Sequence, residues 1–320
     1  MQNQNPIKIN YRHPDSNFSQ YLIKQHIPYW VYLELTYRCN LKCIHCYGVA
    51  DKSKEELTTQ EIYSLLGQLA EQKCFNLIFT GGEPFIRKDW FEIAAYARSK
   101  GLALSFFTNA TLIDAVKARQ LKELSPRTVY VTLFARQRQA YEEITRRKWS
   151  FAMAMAGINC LLQEKIPIKL RTTVLRQNFR EIPLIEAFAR KIKVPFFCNT
   201  TIIDNRIDGS KLPQEYLSAE KQMLQQGNKK PGNNNLPPRC PGGIFMASIG
   251  PYGDLYPCLF FRPPGYNLRQ ASFSYLWQNA KSISLFRSLK ERDLDGEAIE
   301  WSFCKACLDC REKYQKRCHA

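Results

Sequence analysis

The sequence has 320 residues with 46 Lys or Arg against 29 Asp or Glu, which gives a formal net charge of +17. Its hydrophobic fraction of 45% is enough for a normal packed core, and no run of about 18 apolar residues predicts a membrane span. The polar first 20 residues lack the apolar segment of a secretory signal, so a cytoplasmic protein is predicted. In the reducing cytoplasm, the 12 cysteines are predicted to be metal ligands or buried thiols rather than disulfides.

Apolar runs alternate with amphipathic segments over the first two thirds of the chain. Six near-continuously apolar runs predict parallel strands covered on both faces. These strands are predicted at 30–35, 75–80, 102–107, 128–134, 168–175 and 195–203. Helices are predicted from the Thr58-x-x-Glu61 capping box to about Gln72, and near 89–99, 113–124, 150–164 and 180–192. Six βα-like units predict an α/β fold, a partial (β/α)6 TIM-like barrel or a full barrel, with an open doubly wound sheet as the alternative.

The composition changes after the sixth predicted strand. The segment QQGNKKPGNNNLPPR is polar and rich in Gly, Pro and Asn, which is typical of a linker. Six of the 12 cysteines follow it. The chain is therefore predicted to divide into an N-terminal extension (1–28), a barrel (29–225), a linker (226–239) and a small cysteine-rich domain (240–320).

Three cysteines follow the first predicted strand at the spacing C-x3-C-x2-C: Cys39, Cys43 and Cys46. Thiolates suit zinc and iron–sulfur clusters. A structural zinc site closes with four ligands. Three cysteines on one loop can instead hold three irons of a [4Fe–4S] cube and leave the fourth iron open, which is useful only if a substrate or cofactor binds there.

The cysteine spacing, the strand before it and the aromatic Tyr47 after it resemble the radical S-adenosylmethionine (SAM) superfamily. The segment FTGGEPFI after the second predicted strand supports this independently, and the resemblance implies that Gly81, Gly82 and Glu83 contact the methionine end of SAM. It also implies that a reduced cluster passes one electron to SAM, and that the resulting 5′-deoxyadenosyl radical abstracts hydrogen from a substrate. An external electron donor such as flavodoxin or ferredoxin is implied as a partner.

Further positions resemble SAM-contacting or recurring positions of the family. They are Asn109, Thr132, Arg171 and Asn178. Arginine matches a carboxylate bidentately, so Arg171 is predicted to bind the SAM carboxylate. Two glycines of the family pattern are missing here: Ala110 replaces one, and the other is absent near Ala135. For each of the four positions named above, the alternative is an ordinary barrel residue that does not contact SAM. His45 is predicted to be a packing or solvent-facing residue rather than a ligand.

The tail resembles the SPASM and twitch domains, which carry auxiliary clusters in many radical SAM enzymes. Cys240, Gly253 and Cys258 match their opening pattern, and SIGPYGDLYPCLFF predicts a hairpin that brings the two cysteines together. The full SPASM pattern has seven cysteines, whereas this tail has six at different spacing. The resemblance therefore implies one auxiliary [4Fe–4S] cluster, with a zinc ribbon as the alternative. The predicted ligands are Cys240, Cys258 and two of Cys304, Cys307 and Cys310.

The remaining cysteines have weaker assignments. Cys318 is a spare ligand near the terminus. Cys74, Cys160 and Cys198 have apolar neighbours and are predicted to be buried thiols, with Cys198 close enough to the barrel mouth to keep a site role open.

The two-part layout implies net oxidation of a substrate. The basic charge balance favours a peptide, so oxidation or crosslinking of a ribosomally synthesised peptide is predicted, with the segment 136–148 or a separate partner recognising it. A small-molecule dehydrogenase or haem-pathway side-chain oxidase is the alternative enzyme. A non-catalytic, metal-stapled RNA-binding protein is the alternative from another class, although no RNP-type motif is present. No motif identifies a catalytic acid or base.

Overall fold

The computed structural model describes residues 17–48, 50–199, 242–259, 261–262, 265–284 and 287. Over these residues the protein is an α/β fold built on one sheet. The strands are β1 (Trp30–Thr36), β2 (Asn76–Gly81), β3 (Ala103–Thr108), β4 (Thr128–Thr132), β5 (Ile168–Thr173), β6 (Phe196–Asn199), β7 (Met246–Ile249) and β8 (Leu255–Tyr256). The α-helices are α1 (Asn17–Lys24), α2 (Thr59–Glu71), α3 (Trp90–Ser99), α4 (Ala115–Leu124), α5 (Arg138–Thr145), α6 (Ser150–Gln163), α7 (Ile182–Lys191) and α8 (Phe273–Asn279).

The sheet has the strand order β6-β5-β4-β3-β2-β1-β7-β8. Strands β1 to β6 are parallel and each lies beside its neighbour in sequence, with a helix in every connection. This is the arrangement expected of successive βαβ units. It confirms the predicted α/β partial barrel.

Alternate residues of each strand point to opposite sides of the sheet. One side carries fully buried aliphatic and aromatic residues, such as Leu33, Leu77 and Phe106, which pack in a single core with the helices. The other side carries half-buried residues such as Tyr32 and Tyr130. The helices therefore cover the outer side of the sheet, and the half-buried residues mark its inner face.

Helix α2 begins with the predicted capping box, in which Thr58 and Glu61 cap each other's backbone N–H groups. Helix α5 was not predicted. It has eight residues, no side-chain cap and few apolar residues, so its pattern is too short to stand out from a loop. Its apolar residues Tyr141 and Ile144 are nevertheless fully buried.

The segment that begins at residue 242 adds two strands to the barrel sheet. Strand β7 pairs in parallel with β1, with Trp30 opposite Met246. Strands β7 and β8 form the predicted antiparallel hairpin, and Gly253 adopts a φ of 91° in its turn. The proposed linker (226–239) and most of the cysteine-rich region lie outside the described residues, so the division into domains stays a prediction. Within the described part of the chain, no helix is long and apolar enough to cross a membrane.

Candidate functional site

The carboxyl ends of β1, β2 and β3 meet at the loop that carries three cysteines. Cys39, Cys43 and Cys46 are half-buried cysteines on the loop after β1. The N–H of Cys46 donates to the carbonyl of Cys43 at 3.1 Å, so these two residues share a tight turn. Sites in parallel barrels are built where strands end at their carboxyl side, and the loop lies at that edge.

Helix α5 holds the cysteine loop from the outer side of the sheet. The N–H groups of Lys42 and Ile44 donate to the carbonyls of Thr145 and Ile144, both at 3.0 Å. The Arg147 guanidinium donates to a further carbonyl of the same loop at 2.5 Å. A helix that the sequence did not reveal therefore fixes the position of the predicted metal ligands.

The cysteine thiols are desolvated and oppose one another's ionisation. Burial raises the pKa of Cys39 to about 12, with Glu83 and Cys46 adding to the rise. Burial also raises the pKa of Cys43 well above its usual value, again with contributions from the other two thiols. No three His, Cys, Asp or Glu side chains of the described residues form a site for a single metal ion. In a cube each thiolate binds a different iron, and the cationic core would compensate the buried thiolate charge, so this donor set fits an iron–sulfur cluster.

The two glycines after β2 let that segment lie directly against the residues that lead into the cysteine loop. A Cβ on Gly81, whose φ is 121°, would lie 2.2 Å from the carbonyl oxygen of Thr36, and one on Gly82 would lie 2.3 Å from that of Arg38. The N–H of Gly82 donates to Thr36 at 2.7 Å and the N–H of Glu83 to Arg38 at 3.0 Å. The Gly-Gly-Glu segment and the cysteine motif are thus one hydrogen-bonded unit.

Replacing Gly82 by alanine is expected to destabilise the protein by roughly 1–3 kcal/mol and to lower its iron content, because the added methyl group collides with a backbone carbonyl. Urea unfolding and iron analysis after anaerobic reconstitution measure the two effects. Gly67 in α2 is the matched control, since a Cβ there meets nothing within 4 Å. Gly67→Ala should be neutral or stabilising by up to about 1 kcal/mol. Equal behaviour of the two variants would contradict the packing argument.

Glu83 joins the ends of β2 and β3 from a fully buried position. Its carboxylate accepts hydrogen bonds from the Thr108 hydroxyl and the Asn109 N–H, both at 2.8 Å. Burial raises the pKa of Glu83 to about 7, although these hydrogen bonds act in the opposite direction. The side chain therefore orders the turn after β3, and its contact with SAM stays a prediction.

Asn109 connects that turn to the cysteine loop. Its Oδ1 accepts from the N–H of Thr111 at 2.9 Å. Its Nδ2 lies 3.1 Å from Oδ1 of Asn40 and 3.8 Å from Sγ of Cys39. The next residue, Ala110, has a φ of 59°. This left-handed conformation favours glycine, which gives a backbone reason for the glycine of the family pattern at this position.

The inner face of the sheet forms a concave surface, which we call the lumen, lined by Tyr32, Phe107, Tyr130, Lys169 and Arg171. The ring of Phe107 lies 5.9 Å from that of Tyr32 and 5.0 Å from that of Tyr130, centroid to centroid. The Arg171 guanidinium lies 4.3 Å from the Phe107 centroid, and the Lys169 ammonium lies 5.7 Å from the Tyr130 centroid. The lumen thus combines aromatic faces with two cations.

Arg171 is a desolvated cation, and no carboxylate of the described residues pairs with it. Burial lowers its pKa, while Tyr32, Tyr47 and Tyr130 act in the opposite direction. Thr132, its register partner on β4, is half-buried at the end of that strand. A half-buried, desolvated guanidinium of this kind is suited to binding an anionic group, above all a carboxylate.

Tyr47 belongs to a buried network that contains an ion pair. Its hydroxyl donates to the Glu34 carboxylate at 2.9 Å. Arg262 donates bidentately to the same carboxylate at 2.7 and 2.9 Å, and Tyr37 donates to it at 3.0 Å. Burial opposes the charge of Arg262, but Glu34 and the two tyrosines raise its pKa well above the usual value. The network ties the segment after β8 to β1 and to the end of the cysteine loop.

One predicted auxiliary ligand, Cys258, lies within the described residues. It is buried, its sulfur accepts the N–H of Phe261 at 3.3 Å, and it packs with Met246 against Trp30 and Tyr32 of β1. Cys258 therefore lies next to the lumen. The other cysteines of the predicted tail site lie outside the described residues, so the auxiliary cluster stays a prediction. They are Cys240, Cys304, Cys307, Cys310 and Cys318.

His45 and Asn178 have positions that the fold itself explains. The His45 ring packs edge-on against Phe134 at 5.0 Å, and burial together with Arg171 lowers its pKa to about 4. Asn178 is fully buried and donates to the carbonyls of Phe134 and Thr173 at 2.9 and 3.0 Å. It closes the loop after β5. Both residues therefore make structural contacts near the carboxyl edge of the sheet.

The other described cysteines lie away from the lumen. Cys74 is buried in the core, as predicted, and Cys160 is half-buried beside it. Cys198 packs with Val174 and Phe179 on the helix-covered side of the sheet. The Cys198 side chain therefore points away from the lumen, which argues against a role for it at the barrel mouth.

Three residues of the site were missed from the sequence: Glu34, Lys169 and Arg262. A glutamate inside the apolar strand WVYLELT is a usable signal, because a buried carboxylate requires a partner. Lys169 alternates with Arg171 on β5, so both side chains share one face. Arg262 carries no local signal.

The comparisons with known proteins agree with this geometry. Residues 33–189 match the Radical SAM superfamily. The chain is 39% identical to the Fe-coproporphyrin III synthase of Methanosarcina barkeri over 58% of this chain and 47% of that protein, so the match spans about half of that relative. It is 26% identical to the AdoMet-dependent heme synthase of the same organism, over 88% of this chain and 90% of that protein.

A solved structure shares the fold. The chain superimposes on SuiB of Streptococcus suis, bound to the precursor peptide SuiA, with a TM-score of 0.66 and 15% sequence identity. The superposition covers 84% of this chain and 69% of that one.

Proposed function

We propose that this chain, which belongs to the Radical SAM superfamily through residues 33–189, is a radical SAM enzyme that oxidises a side chain of a carboxylate-bearing tetrapyrrole. The observation that carries the proposal is the lumen. Three neighbouring aromatic rings offer flat contact surface, and Lys169 and Arg171 offer cations for peripheral carboxylates. The relatives named for Fe-coproporphyrin III and heme support the same substrate class.

The cofactor set proposed is one [4Fe–4S] cluster on Cys39, Cys43 and Cys46, SAM, and one auxiliary cluster. Together the first cluster and SAM supply a carbon radical that removes a hydrogen atom from the substrate. The proposed SAM contacts are Tyr47, Gly81, Gly82, Glu83, Asn109 and Thr132. Their shared position around the ends of β1 to β4 supports this assignment.

The protein's own contribution is orientation and shielding. Glu83 and Asn109 hold the turn after β3 against the cysteine loop through the contacts described above, which fixes the loop before a cofactor arrives. Arg171 neutralises a carboxylate of SAM or of the substrate. Tyr32 and Phe107 pack edge to face on the inner face of the sheet, where a bound substrate would be shielded from water. A shielded lumen protects a reactive radical from side reactions.

Lys169→Gln tests the substrate assignment. Fe-coproporphyrin III should bind the variant roughly 10–150-fold more weakly, because a hydrogen bond to a charged group contributes about 1.5–3 kcal/mol. The shift of the porphyrin absorption band on titration measures binding. Lys100→Gln is the matched control, since Lys100 also lies over a tyrosine ring, that of Tyr96, but outside the lumen. Side-chain oxidation by the wild type in the presence of SAM and dithionite is followed by mass spectrometry. Equal binding by both variants, or an unchanged porphyrin, would refute the proposal.

Peptide oxidation or crosslinking is the second candidate. The exposed basic segment within 136–148 favours an acidic peptide, whereas the likeness to SuiB concerns the fold alone. Incubation with SAM, dithionite and a candidate peptide should then remove about two hydrogens from the peptide. Peptides that stay unmodified while the tetrapyrrole is oxidised would exclude this candidate.

A further inference from the structure

A group of exposed basic side chains lies on the outer side of the cysteine loop. These side chains are Lys42, Arg138, Arg146 and Lys148, and together with the 66%-exposed Trp149 they form what we call the basic patch. The loop and the last turn of α5 are joined by backbone hydrogen bonds at Lys42. The patch therefore adjoins the loop that carries the predicted cluster ligands.

The basic patch is separate from the lumen. Tyr141 and Ile144, on the opposite face of α5, are fully buried in the core between sheet and helices. Residues 146–149 thus face outward, whereas Tyr32 and Phe107 face the inner side of the sheet. A substrate must reach the lumen, but an electron donor needs only to come close to the cluster.

The composition of the basic patch is that of a protein interface. Trp149 has a φ of 68°, an uncommon conformation for a large residue, and its ring lies 6.0 Å from the Arg138 guanidinium. Tryptophan and arginine are among the residue types enriched in binding hot spots. Glu143 is the one exposed acidic side chain among residues 137–149. The surface is thus complementary to an acidic protein.

We propose that the basic patch docks an acidic one-electron carrier protein that reduces the cluster held by Cys39, Cys43 and Cys46. The inference rests on the cluster assignment of the proposed function, but not on the tetrapyrrole. The carrier loses one electron and the cluster gains it. SAM is the final acceptor, through cleavage of its S–C5′ bond, and no bond forms between the carrier and the chain.

The test compares two reductants on one triple variant, Arg138→Glu, Arg146→Glu and Lys148→Glu. SAM cleavage driven by reduced flavodoxin should fall about tenfold or more at low ionic strength, because charge reversal removes steering and docking. Cleavage driven by dithionite, a small reductant that needs no docking, should stay at the wild-type rate. Added salt should slow the flavodoxin-driven reaction of the wild type and leave that of the variant nearly unchanged.

The matched control is Lys73→Glu, Lys165→Glu and Lys193→Glu. These exposed lysines precede β2, β5 and β6 at the opposite end of the sheet and, like Arg146, have left-handed backbone conformations. Both triple variants change the net charge equally, from +17 to 17 − 6 = +11. The control should keep the wild-type rate with flavodoxin.

Each other outcome has a definite meaning. Equal flavodoxin-driven rates for the two triple variants overturn the docking surface. So does a patch variant that keeps its flavodoxin-driven rate but no longer binds an acidic peptide, because the patch then serves the peptide. Absence of dithionite-driven cleavage in the wild type instead refutes the proposed function, whatever the patch does.

Discussion

Replacing Arg262 by methionine is expected to destabilise the protein by about 3–5 kcal/mol, because it leaves the Glu34 carboxylate buried without its counter-charge. Glu34 is fully buried, and two of its four hydrogen bonds described above come from Arg262. Urea unfolding of the cluster-free protein measures the loss. Tyr47 also binds Glu34, so the variant should in addition alter the absorption or EPR spectrum of the reconstituted protein on addition of SAM.

An exposed ion pair provides the control for this prediction. Arg269 pairs with Glu61 at 2.6 Å, but both side chains are more than a third exposed. Arg269→Met should therefore cost no more than about 1 kcal/mol. The double variant Glu34→Leu and Arg262→Leu should recover much of the loss, since it removes both charges. If Arg262→Met and Arg269→Met cost the same, the buried pair does not couple the tail to the barrel.

Replacing Cys39, Cys43 and Cys46 together by alanine is expected to abolish SAM cleavage, because no thiolate then remains to hold the proposed cluster. Iron should fall by about four atoms per chain in anaerobically reconstituted protein. An auxiliary cluster would leave a similar amount behind. Release of 5′-deoxyadenosine, measured by chromatography with dithionite as reductant, reports the activity.

Cys160→Ala is the matched control for the triple variant, since Cys160 is a half-buried thiol on α6 and not on the cysteine loop. It should keep both iron and activity. SAM cleavage that persists in the triple variant would remove the assignment of these three residues. Single variants should each lower iron retention, because each thiolate binds a separate iron.

Local patterns were enough to predict the barrel and the place of the cysteine loop. The strands of the barrel are short and buried on the helix side, which produces the near-continuous apolar runs. The Thr58 capping box and the hairpin before Cys258 are encoded by residues within a few positions of one another. Such features can be read along the chain, because the interacting groups are also neighbours in sequence.

Features made by distant residues could not be predicted in this way. Arg262 and Glu34 are 228 positions apart, and the sequence around Arg262 does not indicate that Glu34 is its partner. The short strand β7 likewise does not indicate that it pairs with β1. The orientation of Cys198 away from the lumen depends on the register of β6, a four-residue strand in which a shift by one position reverses the face. The aromatic lining of the lumen likewise combines residues from three strands.

The pairing of β7 with β1 has a consequence for biosynthesis. Trp30 can pair only after the ribosome has added Met246, which lies 246 − 30 = 216 residues later in the chain. Until then one side of the first strand exposes unpaired backbone groups, a template for aggregation. Contacts at such sequence separation also slow folding. The nascent chain therefore keeps this edge of β1 open for longer than a barrel closed by consecutive strands would.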